Sequence, residues 1–242
     1  MSAKEMHEHT PEGIRKRLNE EHPESYLREW VYGGIDGVVT TFAVVSSVIG
    51  ADLSTSIILI LGAANLIGDG FSMAVGCYSS TKTETDNYER LKQTEIEHIR
   101  TCPDSEKEEI RQIYSLKGFS GPVLEDIVET ITKDREQWIQ TMMAEEYGLS
   151  KNTTSAVRAA WHTFLAFALC GAMPLIPFLF HFPHASVFAL LLSSVTFFAI
   201  GAFKSLWSVK PWWWHGIETT IIGLSAAGLA FLIGYYLGTL EL

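Results

Sequence analysis

A carboxylate stands inside an apolar run at Asp69, in the stretch NLIGDGFSMAVGCYSSTKTE from Asn65 to Glu84. A charged side chain in hydrocarbon costs roughly 2.5 to 3.5 kcal/mol on insertion scales, so Asp69 is expected to face a partner, a cavity or a transported ion. Further along, Glu95 and His98 are three residues apart, and so are Glu106 and Glu109. That spacing puts each pair on one face of a helix. Met142, Met143 and Glu146 fall within one helical turn in the segment TMMAEEYG, where the methionines read as exposed at a helix end. Carboxylate, imidazole and thioether together suit first-row transition metals such as Fe²⁺ better than purely hard ions. Two simpler readings stand beside this one: the acids form a solvated helix face laced with Lys and Arg, and methionine fills gaps in a core.

These residues need scaffolds in two solvents. Val31 to Gly50, Ser54 to Cys77, Ala159 to Phe180, Ala185 to Phe203 and Ile217 to Leu240 are predominantly apolar. Each is close to the ~20 residues that cross a bilayer. The expected fold class is therefore all-α, a multi-pass membrane protein with five transmembrane helices and a three-helix cytosolic insert between spans 2 and 3. Cations near span ends stay cytoplasmic. With the amino terminus inside, all 18 Lys and Arg fall in the inner segments 1–30, 78–158 and 204–216. The outer connections Ala51 to Leu53 and His181 to His184, and the tail Glu241 to Leu242, carry none. An odd number of spans then leaves the carboxyl terminus outside the cytosol. The first thirty residues are polar, without the apolar core of a cleavable leader, and the first span is expected to serve as the insertion signal.

The chain divides into an amphipathic cytosolic segment, 1–30; spans 1 and 2, 31–77; a cytosolic helical domain, 78–158; and spans 3 to 5, 159–240. The insert holds 16 of the 28 acids. Its first helix continues span 2 to about Thr101, Pro103 opens a second that runs to Lys117, and Pro122 opens a third to Tyr147, closed by Gly148. Sparse apolar residues such as Ile99, Ile110, Ile131 and Trp138 give each helix one stripe of helical spacing. A net charge of −10 excludes the basic footprint of a nucleic-acid binder. The odd set Cys77, Cys102 and Cys170 implies no disulfide framework. Nothing pairs a nucleophile with a base, and there is no phosphate-binding loop, so no enzyme and no prosthetic group are expected. Trp207 and Trp212 to Trp214 read as an interfacial belt, Pro174 and Pro177 as a kink in span 3, and His162, His181, His184 and His215 as solvated residues near span ends.

GGIDGVVTTFAVVSSV in the first span, DGFSMAVGCY and KTE in the second, then IYSLKGFSG, DREQWIQTMMAEEYGL and GIETTIIG together resemble the vacuolar iron transporter family over about residues 28–240. The resemblance implies a homodimeric exporter of Fe²⁺, often also of manganese, from the cytosol across a vacuolar-type or prokaryotic inner membrane, coupled to inward proton movement. Zn²⁺ and Co²⁺ are further candidate substrates. Its path aspartate corresponds to Asp36 and its SMA methionine to Met73. Its cytosolic metal ligands correspond to Glu95, His98, Glu106, Glu109, Met142, Met143 and Glu146. His98 departs from the family's glutamate there, removing a negative charge; an imidazole must also be neutral to ligate. Asn65 and Cys77 stand where some members carry acids, a departure that favours softer donors.

Asp69 precedes Met73 by one turn, so Asp36, Asp69 and Met73, with Asn65 and Cys77, are expected to line one path. In a dimer, two such faces supply four carboxylates and two thioethers to a dehydrated cation. The small residues Gly33, Gly34, Gly37, Gly62, Gly68, Gly70, Ser72 and Gly76 permit the close helix contact this seam needs. A simpler role for Asp69 is a hydrogen bond to a neighbouring helix. A carboxylate shielded from water holds either a proton or a cation, and occupancy by one expels the other, which builds in exchange. Glu218, at the cytosolic start of the fifth span, is a candidate for proton access or simply favours the helix N-terminus. Two other function classes fit the same residues: a passive divalent-cation channel, since acids also line cation pores, and a membrane-anchored metal sensor or buffer.

Overall fold

In the computed structural model the described residues are 10–19, 25–150 and 154–240. The expected outer tail Glu241 to Leu242, residues 1–9 and 20–24 of the expected amphipathic segment, and 151–153 of the insert lie outside them. The described chain is helical: α1 Pro11–Asn19, α2 Leu27–Gly50, α3 Thr55–Thr101, α4 Pro103–Leu116, α5 Gly121–Lys133, α6 Arg135–Glu145, α7 Ala156–Ala172, α8 Ile176–Leu179, α9 Ala185–Lys204 and α10 Trp212–Thr239. Five helical stretches are long and apolar enough to cross a membrane: α2, α3, α7 with α8, α9 with the turn after it, and α10. The protein is a multi-pass membrane protein.

The second span and the first helix of the insert are one helix, α3, of 47 residues. At 1.5 Å per residue it is about 70 Å long, twice what a bilayer needs, and it carries the chain rigidly out of the membrane region. Span 3 breaks where expected. Pro174 and Pro177 have no N–H to donate, and α7 passes through a tight turn at Met173–Leu175 into the short α8.

The insert departs from the expected three helices. The stretch from Pro122 to Tyr147 is not one helix, because it breaks at Asp134 into α5 and α6. The Asp134 carboxylate accepts from the backbone N–H of Glu136 at 2.9 Å and of Gln137 at 3.3 Å, capping α6 and stopping α5. Gly148 ends the segment at a φ of +64°, the left-handed conformation that a C′ glycine supplies without strain.

Two separate apolar cores result. In the span bundle, α2 lies at the centre against α7 and α10, with Val38, Phe42, Val45, Phe178 and Phe197 buried together. Backbones approach closely there: a Cβ on Gly37 would sit 2.3 Å from the Phe167 carbonyl oxygen, and one on Gly234 2.0 Å from that of Ser47. The expected seam of small residues is thus divided. Gly33, Gly37, Gly62 and Gly70 are spent on contacts within the chain, while Gly68 and Gly76 on α3 meet nothing within 4 Å. The second core, formed by the distal end of α3 with α4, α5 and α6, buries Tyr88, Ile99, Ile110, Val128, Trp138, Met142 and Met143.

Candidate functional site

The chain reverses at Cys102 between α3 and α4. Pro103 fits the first turn of α4, whose missing N–H costs nothing there. The reversal folds Glu106 back onto Glu95 and His98. One ligand atom from each of the three lies within 4.8 Å of the others. His98 Nδ1 is 3.4 Å from Glu106 Oε1 and 3.7 Å from Glu95 Oε1. Glu95 is 1% exposed and Glu106 4%, and the second oxygen of each, Oε2, has no hydrogen-bond partner.

Burying two carboxylates beside each other is costly unless a proton or a cation neutralises them. Burial, and then the charges of Glu95 and Glu109, push the Glu106 carboxyl up to about 7. Glu146 is raised in the same direction, by burial first and then by Glu95 and Glu109. The four acids therefore form one electrostatic group, with Glu95 and Glu106 inside it and Glu109 and Glu146 on its exposed rim. Spacing alone missed one member, Tyr147, whose hydroxyl donates to Glu95 Oε1 at 2.9 Å. Burial and the Glu95 carboxylate hold that phenol protonated well above its ordinary range. Its signal in the sequence is its place one residue beyond Glu146, just past the end of α6.

The methionines correct the sequence reading. Met142 is 0% exposed and Met143 1%. Both are core residues rather than exposed ones, because α6 turns that face, with its own Trp138, into the core that also holds Ile99, Ile110 and Val128. Two histidines expected in solvent are also engaged. His162 accepts from Trp30 Nε1 at 3.1 Å and stacks on Tyr26. His215 is buried, with Nε2 2.7 Å from Ser208 Oγ and Nδ1 3.3 Å from Glu218 Oε2. Glu218 is therefore half of a His215–Glu218 pair at the start of α10.

Within the spans, Asp36 on α2 and Asp69 on α3 are electrostatic neighbours of like charge. Asp36 is half-buried, whereas Asp69 is exposed on the open α3 face that carries Gly68. The Asn65 amide nitrogen donates to Thr40 Oγ1 and Thr41 Oγ1, both at 3.1 Å, and ties α3 to α2 one turn before Asp69. Met73 and Cys77 line a cavity of about 340 Å³ between α2, α3 and α7. Asp36, Asn65 and Asp69 are not in its lining. Glu29 is in it, a residue that spacing could have flagged: it precedes Asp36 by seven positions, two turns along one face of α2.

A sequence model of the VIT family matches residues 27–235. Relatives include a vacuolar iron transporter of Toxoplasma gondii, 36% identical over 170 residues that cover 69% of this chain and 56% of that one. A vacuolar iron transporter of Centaurea cyanus is 32% identical over 85% of both chains. Vacuolar iron transporter 1 of Eucalyptus grandis is 30% identical over 90% of this chain and 91% of its own. Helical spans alone would fit many membrane proteins, but a match that runs through all five of them and the acidic insert between them fits one: the chain belongs to the VIT family, whose members are transporters rather than enzymes.

Proposed function

We propose that the protein is a proton-coupled secondary transporter that exports Fe²⁺ from the cytosol, with manganese as a second substrate. The names of its relatives support iron as the cargo. The single observation that carries the reading is the pair of acidic centres in different solvents. One is the buried Glu95–Glu106 pair with orphaned oxygens, outside the spans; the other is Asp36 with Asp69, within them.

The amino terminus and the insert face the cytosol, where all the cations lie, and the carboxyl terminus faces the other side. Glu95, His98, Glu106, Glu109 and Glu146, with Met142 and Met143 behind them, take the metal from the cytosol. They raise its concentration at the mouth of the path, as a cleft of one sign does. Asp36, Asp69 and Met73 then pass it across. The open α3 face that carries Asp69, Gly68 and Gly76 meets its copy in a homodimer, so that two sets of these residues line one route. A proton and a metal ion compete for the same carboxylates, so metal moving out drives protons in.

Purified protein in vesicles with a pH dye tests this. Fe²⁺ flux accompanied by opposite proton movement, and accelerated by an imposed pH gradient, is expected. Fe²⁺ flux with no proton counterflow would favour a passive channel, and no flux at all a membrane-anchored buffer.

A further inference from the structure

The two oxygens of Glu95 are not equivalent. Oε1 accepts from the Tyr147 hydroxyl at 2.9 Å and lies 3.7 Å from His98 Nδ1. Oε2 is shielded from solvent and has no hydrogen-bond partner. The phenol reaches this carboxylate from the turn that closes α6, and backbone bonds fix that turn. The Glu146 N–H donates to the Met142 carbonyl and the Leu149 N–H to that of Met143, both at 2.9 Å, with Gly148 left-handed between them. The Tyr147 ring packs against the core that buries Met142 and Met143, and Glu95 is 1% exposed. The hydrogen bond is therefore held from both sides, by the end of α6 and by α3.

A donor fixed on one oxygen of a carboxylate leaves the other oxygen free for a cation, and groups that hydrogen-bond a metal ligand set its direction. Ca²⁺ gathers roughly six to eight oxygens and takes a carboxylate through one oxygen or both. A first-row transition ion accepts an imidazole nitrogen beside single carboxylate oxygens. We infer that Tyr147 is a positioning residue that sets the metal preference of the acidic centre: by occupying Oε1 it keeps Glu95 a one-oxygen ligand through Oε2. That arrangement favours a transition-metal ion shared with His98 and Glu106 and disfavours Ca²⁺, which loses an oxygen it would otherwise gather. The hydroxyl acts on the ligand and does not touch the ion. The inference rests on the reading of Glu95, His98 and Glu106 as a metal-capturing centre, and it names what decides which ion that centre takes.

The test is ion competition in the full chain in detergent, with Mn²⁺ as the probe because the paramagnetic resonance signal of free Mn²⁺ is lost on binding. Mn²⁺ that wild type binds and Glu95→Gln does not is the share held by this centre. Tyr147→Phe keeps the ring and removes only the donor. The Ca²⁺ concentration that displaces half of that Mn²⁺ should fall by about tenfold or more in Tyr147→Phe, as loss of a group that supports a metal ligand does. Infrared spectroscopy of the wild type gives a second readout that does not depend on how the variant folds. The carboxylate bands that Mn²⁺ induces and Glu95→Gln removes should show the wide separation of antisymmetric and symmetric stretches that one-oxygen binding produces. A narrow separation there, an unchanged ratio of Ca²⁺ to Mn²⁺ affinity in Tyr147→Phe, or an equal loss of both affinities, as a merely structural residue would give, would overturn the inference and leave the centre standing. Equal Mn²⁺ binding by wild type and Glu95→Gln would remove the centre itself, and the inference with it.

Discussion

Replacing Glu106 by Gln should stabilise the metal-free protein while destroying its response to metal. Glu106 is 4% exposed, and its carboxyl sits at about 7 in the folded chain against an ordinary 4.5. Between those two values the folded state binds more protons than the unfolded state, so stability falls as pH rises from about 4.5 to about 7 and stays low above it. At about 1.4 kcal/mol per pH unit, the full displacement is worth about 3 kcal/mol. Gln has nearly the same volume and no charge to bury, so Glu106→Gln should recover most of that penalty in neutral and basic solution. For a helical unit of this size, the gain corresponds to a rise of roughly 10 °C in melting temperature. In acid, where wild-type Glu106 is already protonated, the two proteins should melt together. Metal offers the wild type the same relief by another route. A saturating ion at 100 times its dissociation constant adds about 2.7 kcal/mol, and Glu106→Gln should lose most of that increment. Scanning calorimetry of the full chain in detergent, in acid and base and with and without Fe²⁺, reads all of these quantities. A variant less stable than wild type in base, or one that keeps the full metal-induced shift, would show that Glu106 is a solvated acid rather than a strained ligand.

Asp36→Ala and Met73→Ala should each abolish Fe²⁺ flux in vesicles while the elution profile and the helical spectrum remain those of wild type; wild-type flux in either would remove that residue from the path. Gly37→Ala should lower stability by at least 1 kcal/mol, since overpacking of this kind costs roughly 1 to 3 kcal/mol and the new Cβ would lie 2.3 Å from the Phe167 carbonyl oxygen. Gly68→Ala, with nothing within 4 Å of its Cβ, should leave the fold of the single chain intact and weaken self-association instead, as read by analytical ultracentrifugation.

Features carried by local pattern were legible before any coordinates. Five apolar runs announce five spans because a bilayer demands about 20 consecutive apolar residues and nothing else in the chain supplies them. The Pro103, Pro122 and Gly148 boundaries announce themselves because proline and glycine act on the backbone of their own turn. Glu95 with His98 is legible as one helix face for the same reason, since three residues always make neighbours there. The break at Asp134 is also local, but it depends on whether that carboxylate caps α6 or faces solvent, and spacing does not distinguish the two.

What joins one helix to another has no such signature. That Glu106 returns to Glu95 depends on the angle of the turn at Cys102, that Tyr147 reaches Glu95 across 52 positions depends on α6 docking against α3, and that Met142 and Met143 are buried depends on which side of α6 meets the core. Asn65 reads as a path residue by position, and only the crossing of α2 and α3 engages its amide with Thr40 and Thr41. Glu29 falls within the polar first thirty residues, and only the packing of α2, α3 and α7 places it in the wall of a cavity. Periodicity along a helix is written in consecutive residues, whereas a distance between helices is set by every side chain that packs between them.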